Sequence, residues 1–221
     1  METREYKSFC GETVIVFSEL NNYLEEMMKL IDGHRLDKLL QLQSTPVLEE
    51  TFWWKNAEWR VEKFWPLTLN YSFVIMLFVN IETRLNHTCN ILYERDSLPL
   101  QVKEIRGGSI EKCILYLDRF ENLEHNKISS WSQIDAINKI RDCIVHTSGK
   151  IENSRDEKYL QNLIKRYPKQ INLSDSHFGM EKVLILESDY CRSLCISSRK
   201  FFEDVFRKTN LADIDWPNKL A

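Results

Sequence analysis

Apolar residues recur at threes and fours along most of the chain, the spacing of one buried face of an α-helix. Over 12–31 the positions Val16, Leu20, Tyr23, Leu24, Met27, Met28 and Ile31 keep this rhythm. Gly33 follows as a helix stop, and a second helical piece over 34–43 ends before Thr45-Pro46. A long helix is expected over 67–94, where Phe73, Leu77, Ile81, Leu85, Cys89 and Leu92 form a stripe. Its first half is apolar nearly all round, which suits a central buried helix. Glu82, Arg84 and Asn86 interrupt its middle, and Ser97-Leu98-Pro99 ends it.

Past Gly107-Gly108, Ser109 is placed to cap a helix carrying Ile110, Cys113, Ile114, Leu117 and Phe120 on one face. A polar turn over 121–128 and the pair Ser129-Ser130 lead into the next helix, with Trp131, Ile134, Ile137, Ile140, Ile144 and Val145 inward. Gly149 fits the left-handed residue beyond its end. The polar stretch 150–158 reads as a mobile loop, and Tyr159, Leu160, Leu163 and Ile164 as a short helix stopped at Tyr167-Pro168. Then the period changes from 3.6 to 2. Gln170-Ile171-Asn172-Leu173 alternates and Val183-Leu184-Ile185-Leu186 is a compact apolar run, so the two form a small hairpin. A last helix over 187–208 carries Tyr190, Leu194, Phe201, Phe202, Val205 and Phe206. The expected fold class is all-α, a helical bundle with a small β-hairpin near the C-terminus. Its expected division is a helical extension over 1–50, a main helical domain over 51–210 and a tail over 211–221.

Composition fits a real core. Of 221 residues 43% are hydrophobic and 11% aromatic, and the net charge is only −3. That balance disfavours an architectural DNA binder or a polybasic membrane protein, while leaving room for a local basic groove. Six cysteines show no CxxC or Cys/His ligand spacing, so they read as buried reduced thiols of a cytoplasmic protein. The charged start, Met1 to Glu5, leads into no secretory core, and the apolar run Tyr71 to Ile81 is too short to span a bilayer. Four of the six tryptophans lie in the aromatic segment from Phe52-Trp53-Trp54 through Trp59 to Phe64 and Trp65. Such rings can stack nucleobases, but packing in a core or a subunit interface is the simpler expectation.

Several catalytic patterns are absent from the sequence: a Gly-rich phosphate loop, a GxSxG elbow, HExxH and a spaced carboxylate cluster for two metals. The stretch that can carry chemistry is Ile140-Arg141-Asp142-Cys143-Ile144-Val145-His146-Thr147-Ser148-Gly149. Asp142 and His146 are four apart and share a helix face, whereas Arg141 and His146 lie about 140° apart round the axis. A flexible arginine can still bring its guanidinium towards the imidazole. Histidine exchanges protons near neutral pH, and an arginine fork grips phosphate oxygens and stabilises a pentacoordinate transition state. Asp142 would either orient the imidazole or hold Arg141. On spacing alone, Arg-Asp-x-x-x-His at a helix end is most simply a surface ion pair beside a histidine that caps the C-terminus.

The residues 140–151, ending in Gly149-Lys150-Ile151, resemble the signature of the HEPN superfamily. In that signature an arginine and a polar residue are followed by histidine after four to six intervening positions. The helix bearing Phe78, Ile81, Glu82, Leu85 and Cys89, the Gly107-Gly108 segment, the Ser109–Phe120 helix and Trp131 resemble the family's upstream elements. The resemblance covers about 66–151. It implies a helical fold that dimerises with two motif helices in one cleft, and metal-independent endoribonuclease activity of toxin, antiviral or abortive-infection type. It implies Arg141 and His146 as catalytic, Asp142 as supporting and Glu82 as an acidic partner. RNA is then the substrate, an antitoxin or defence-system protein a partner, and no cofactor or metal is required. A catalytically silent HEPN module that binds a protein or nucleotide, and a plain helical protein with a surface Arg–His pair, are the alternatives.

Overall fold

The computed structural model describes residues 3–43, 59–175 and 182–212. Among these are six α-helices and one two-stranded antiparallel hairpin, with a π-helical turn and three 3-10 turns between them. The helices are α1 (Thr3–Gln43), α2 (Trp65–Asp96), α3 (Ser109–Glu121), α4 (Trp131–Thr147), α5 (Glu157–Arg166) and α6 (Ser188–Lys208). The hairpin strands, β1 (Ile171–Asp175) and β2 (Lys182–Leu186), lie between α5 and α6. The all-α class with a small hairpin near the C-terminus is therefore what the chain forms.

Two helix boundaries depart from expectation. Gly33 does not stop α1, which runs through it for 41 residues. Its backbone is not left-handed, so it acts as an ordinary helical residue at a cost of about 1 kcal/mol, spread over a long helix. Ser109 is the first helical residue and not the cap. Gly108 takes the cap position, and its N–H donates to Glu111 Oε2 at 3.2 Å.

The chain divides into two compact units whose boundaries fall inside helices. The first comprises Met1–Leu20, Met76–Asn138 and Ser193–Ala221. Its core is the part of the expected α2 stripe that falls here (Leu77, Ile81, Leu85, Cys89, Leu92), joined by Phe78, with Phe17 from α1 and Phe201, Phe202 and Phe206 from α6, all buried. Phe17 and Phe202 stack at 5.3 Å between centroids, and Trp131 lies 6.1 Å from Phe201. Arg84, one of the polar interruptions of α2, reaches Glu12 of α1 at 3.0 Å.

The second unit comprises Asn21–Ile75 and Lys139–Arg192. Here the start of α2 holds the hairpin by its outer edge. Asn70 Nδ2 donates to the Leu186 carbonyl at 2.7 Å and Tyr71 Oη to the Leu184 carbonyl at 2.6 Å. Ser188 Oγ donates to Asn70 Oδ1 at 3.2 Å, so the buried amide is satisfied on both sides. Within the hairpin Leu184 pairs with Leu173 and Leu186 with Ile171. The alternating residues Ile171, Leu184 and Leu186 are buried, as period-2 patterning requires. An edge strand normally leaves backbone groups unpaired, and these side chains of α2 occupy them.

The apolar run in α2 is longer than the sequence pattern suggested. With the π-helical turn Arg60–Phe64 ahead of it, the helix Arg60–Asp96 is long and apolar enough to cross a membrane by length and composition. Of its most apolar window 39% is buried, including Leu77, Phe78 and Ile81, while Met76 and Val79 of the same helix are exposed.

Candidate functional site

The motif residues sit on the last two turns of α4, within the second unit. Ile140, Cys143 and Ile144 are buried and fix the rotation of the helix. That rotation leaves Arg141 half-buried, buries Asp142 and exposes His146. The end of α4 is shaped by two successive left-handed residues, Ser148 (φ 54°) and Gly149 (φ 83°). The Gly149 N–H reaches back to the Cys143 carbonyl at 3.2 Å, and its own carbonyl accepts from the Leu184 N–H at 2.9 Å. The left-handed glycine expected at this position is present, and it ties the helix exit to β2.

Beyond it, residues 150–158 do not form the mobile loop suggested by their polarity. Ile151–Asn153 make a 3-10 turn, and the N–H groups of Lys150, Asn153, Ser154 and Glu157 each bond a carbonyl three residues back. Ile151 buries its side chain, and Asp156 pairs with Lys139 on α4 at 3.2 Å. One apolar anchor and one ion pair fold the segment against the motif helix. Neither is visible from composition.

The segment also supplies Arg155, which sequence reasoning missed. Asp142 is shared: its Oδ1 accepts from Arg141 Nη1 at 2.7 Å, and its Oδ2 pairs with Arg155 Nη2. Arg155 Nε also lies 3.3 Å from Asp156 Oδ2. The ion pairs therefore run from Arg141 through Asp142, Arg155 and Asp156 to Lys139. Of the two roles open to Asp142, orienting the imidazole or holding an arginine, the geometry selects the second. Arg155 could have been suspected only as a basic residue shortly after the motif, a signal shared by many surface arginines.

His146 and Asp142 line one pocket of about 290 Å³, together with Thr147, Asn153, Ser154 and Arg155. Thr147 Oγ1 donates to the Cys143 carbonyl at 2.7 Å and lies 3.5 Å from Cys143 Sγ. Burial pushes the Cys143 thiol upwards, which keeps it a neutral part of the packing. Arg141 joins the pocket through its bond to Asp142 and is not itself among the lining residues. Glu82 belongs to the first unit, where it is half-buried and its carbonyl accepts from Asn86 Nδ2 at 2.9 Å.

Of the aromatic segment, Trp53 and Trp54 lie outside the described residues. Trp59 is half-buried beside Phe64, with 5.2 Å between ring centroids, and Trp65 lies 5.2 Å from the His34 ring. Among the described residues no group of three or more His, Cys, Asp and Glu side chains is arranged to hold a metal ion. A scan against protein-family models, a search of curated proteins and a search of solved structures each returned no match.

Proposed function

We propose that the protein is a metal-independent endoribonuclease of the HEPN type, acting as a cytoplasmic toxin or phage-defence effector. The observation that carries this reading is the meeting of motif residues: an exposed His146 shares one pocket with the carboxylate that grips Arg141 and Arg155. The six cysteines are all buried, which fits a reducing compartment.

In the proposed reaction a base takes the proton of an RNA 2′-hydroxyl, and the freed oxygen attacks the adjacent phosphorus. The bond from phosphorus to the 5′-oxygen breaks and that oxygen takes a proton. The products are a 2′,3′-cyclic phosphate and a 5′-hydroxyl. Histidine is the residue type suited to the proton transfers, and guanidinium groups to the charge on the pentacoordinate phosphorus. We assign these roles to His146 and Arg141, with Asp142 holding the arginine in position. The working enzyme is taken to be a homodimer whose two motif helices complete one cleft.

A second reading rests on the same ion pairs. Both oxygens of Asp142 are occupied by arginines, so a pocket that binds without cleaving, in a catalytically silent module for a protein or nucleotide, is chemically reasonable. Induced expression separates the two. A nuclease degrades cellular RNA and arrests growth, and Arg141→Ala or His146→Ala abolishes both effects while the variants stay folded. A silent module leaves the RNA intact in every case.

A further inference from the structure

We infer that Arg155 is a phosphate-binding residue of the His146 pocket, a guanidinium that exchanges its carboxylate partners for the backbone of a bound RNA strand. The inference rests on reading the pocket as an RNA site. It concerns a residue outside the motif and is carried by how the five ionic side chains share their contacts.

Three cations meet two carboxylates here. Asp142 offers Oδ1 to Arg141 and Oδ2 to Arg155, while Asp156 offers Oδ1 to Lys139 and Oδ2 to Arg155. Arg155 is thus the second cation on each acid. An arginine paired with a buried carboxylate is normally held there, because its departure leaves an uncompensated charge. That cost does not arise at this site. When Arg155 turns away, Asp142 keeps Arg141 and Asp156 keeps Lys139.

Exposure separates the three cations in the same order. The Arg155 side chain is 72% exposed, against 31% for Arg141 and 21% for Lys139. Arg155 is also the cation that lines the pocket with His146. Of its neighbours there, Asn153 and Ser154 bring an amide and a hydroxyl, while the Thr147 hydroxyl already donates to the Cys143 carbonyl. The planar fork suits two phosphate oxygens at once, which a lysine in its place would not reproduce. The two acids hold the guanidinium beside His146. In the occupied pocket the strand replaces them.

The test uses the full chain and a fluorescent RNA oligonucleotide with every 2′-hydroxyl methylated, which binds but cannot be cleaved. Affinity is measured against salt for wild type, Arg155→Ala and Arg155→Lys, with circular dichroism to verify folding. Loss of one phosphate contact in Arg155→Ala should weaken binding and lower the slope of log affinity on log salt by about one unit. Arg155→Lys should keep the slope and lose part of the affinity. A folded Arg155→Ala protein with wild-type affinity and slope overturns the assignment, and so does a wild-type protein that does not bind the oligonucleotide. Cleavage of unmodified RNA is scored separately. Wild-type protein that binds and loses its slope with Arg155→Ala, yet cuts nothing, removes the nuclease reading and leaves the phosphate site standing.

Discussion

The hydroxyl of Tyr71 stands over the α-carbon of Gly149, where a methyl group would lie 1.9 Å from Tyr71 Oη and 2.8 Å from its ring carbon Cζ. Gly149 also has φ +83°, a backbone state that L side chains rarely adopt. The same hydroxyl donates to the Leu184 carbonyl, and burial pushes the phenol upwards, so it stays a neutral donor. Helix exit, strand edge and α2 therefore meet at one point. Gly149→Ala should lower stability by about 1–3 kcal/mol through backbone strain alone, with the steric overlap adding to it. Tyr71→Phe, which removes only the hydrogen bond, should cost about 1 kcal/mol. Denaturant melts of the two variants check the order, and an alanine at 149 milder than a phenylalanine at 71 would contradict it.

Stability should depend on pH through Glu121. Burial and the neighbouring Asp96 raise its carboxyl from 4.5 to about 7, opposed by Arg95 at 3.4 Å, and Tyr116 is a further titratable group there. Between those two values the unfolded chain has released a proton that the folded chain still binds. Stability must therefore fall as pH rises through the window. Glu121→Gln removes the titration, so its melting temperature relative to wild type should climb by a few degrees between pH 5 and pH 8. A difference that stays constant with pH would show that the carboxyl titrates in its ordinary range.

Most of the helices, the hairpin and the left-handed Gly149 were legible because each has a local cause. Apolar spacing, a change of period from 3.6 to 2, and a glycine after the last apolar turn act over a few residues. The errors share a different character. A glycine after an apolar stripe usually marks a stop, yet helix continues on both sides of Gly33. The segment 150–158 reads as a mobile loop from its polarity because its order depends on Ile151 burying and Asp156 meeting Lys139, contacts that do not recur at a fixed spacing. Arg155 was missed for the same reason. It reaches Asp142 across thirteen residues and an intervening turn. Within the motif, Arg141, Asp142 and His146 were recognisable, but only the fold decides that Asp142 serves the arginines.

Asp142 should therefore have opposite effects on stability and on anion binding. Asp142→Asn keeps the shape and one acceptor oxygen while removing the charge that two guanidinium groups share. Its melting temperature should fall below that of wild type, and its affinity for the methylated RNA oligonucleotide should rise, because a competing anion has gone. Weaker RNA binding by a folded Asp142→Asn protein would mean that the carboxylate does not compete with the strand for Arg155.

The central claim is that His146 takes part in metal-independent RNA cleavage. It is tested most directly by incubating purified protein with total RNA in the presence of EDTA, wild type beside a His146→Ala variant shown to be folded by circular dichroism. The expected result is cleavage by wild type alone, with fragments ending in a 2′,3′-cyclic phosphate and beginning with a 5′-hydroxyl. Cleavage by His146→Ala at the wild-type rate, or intact RNA after incubation with the wild-type protein, would contradict it.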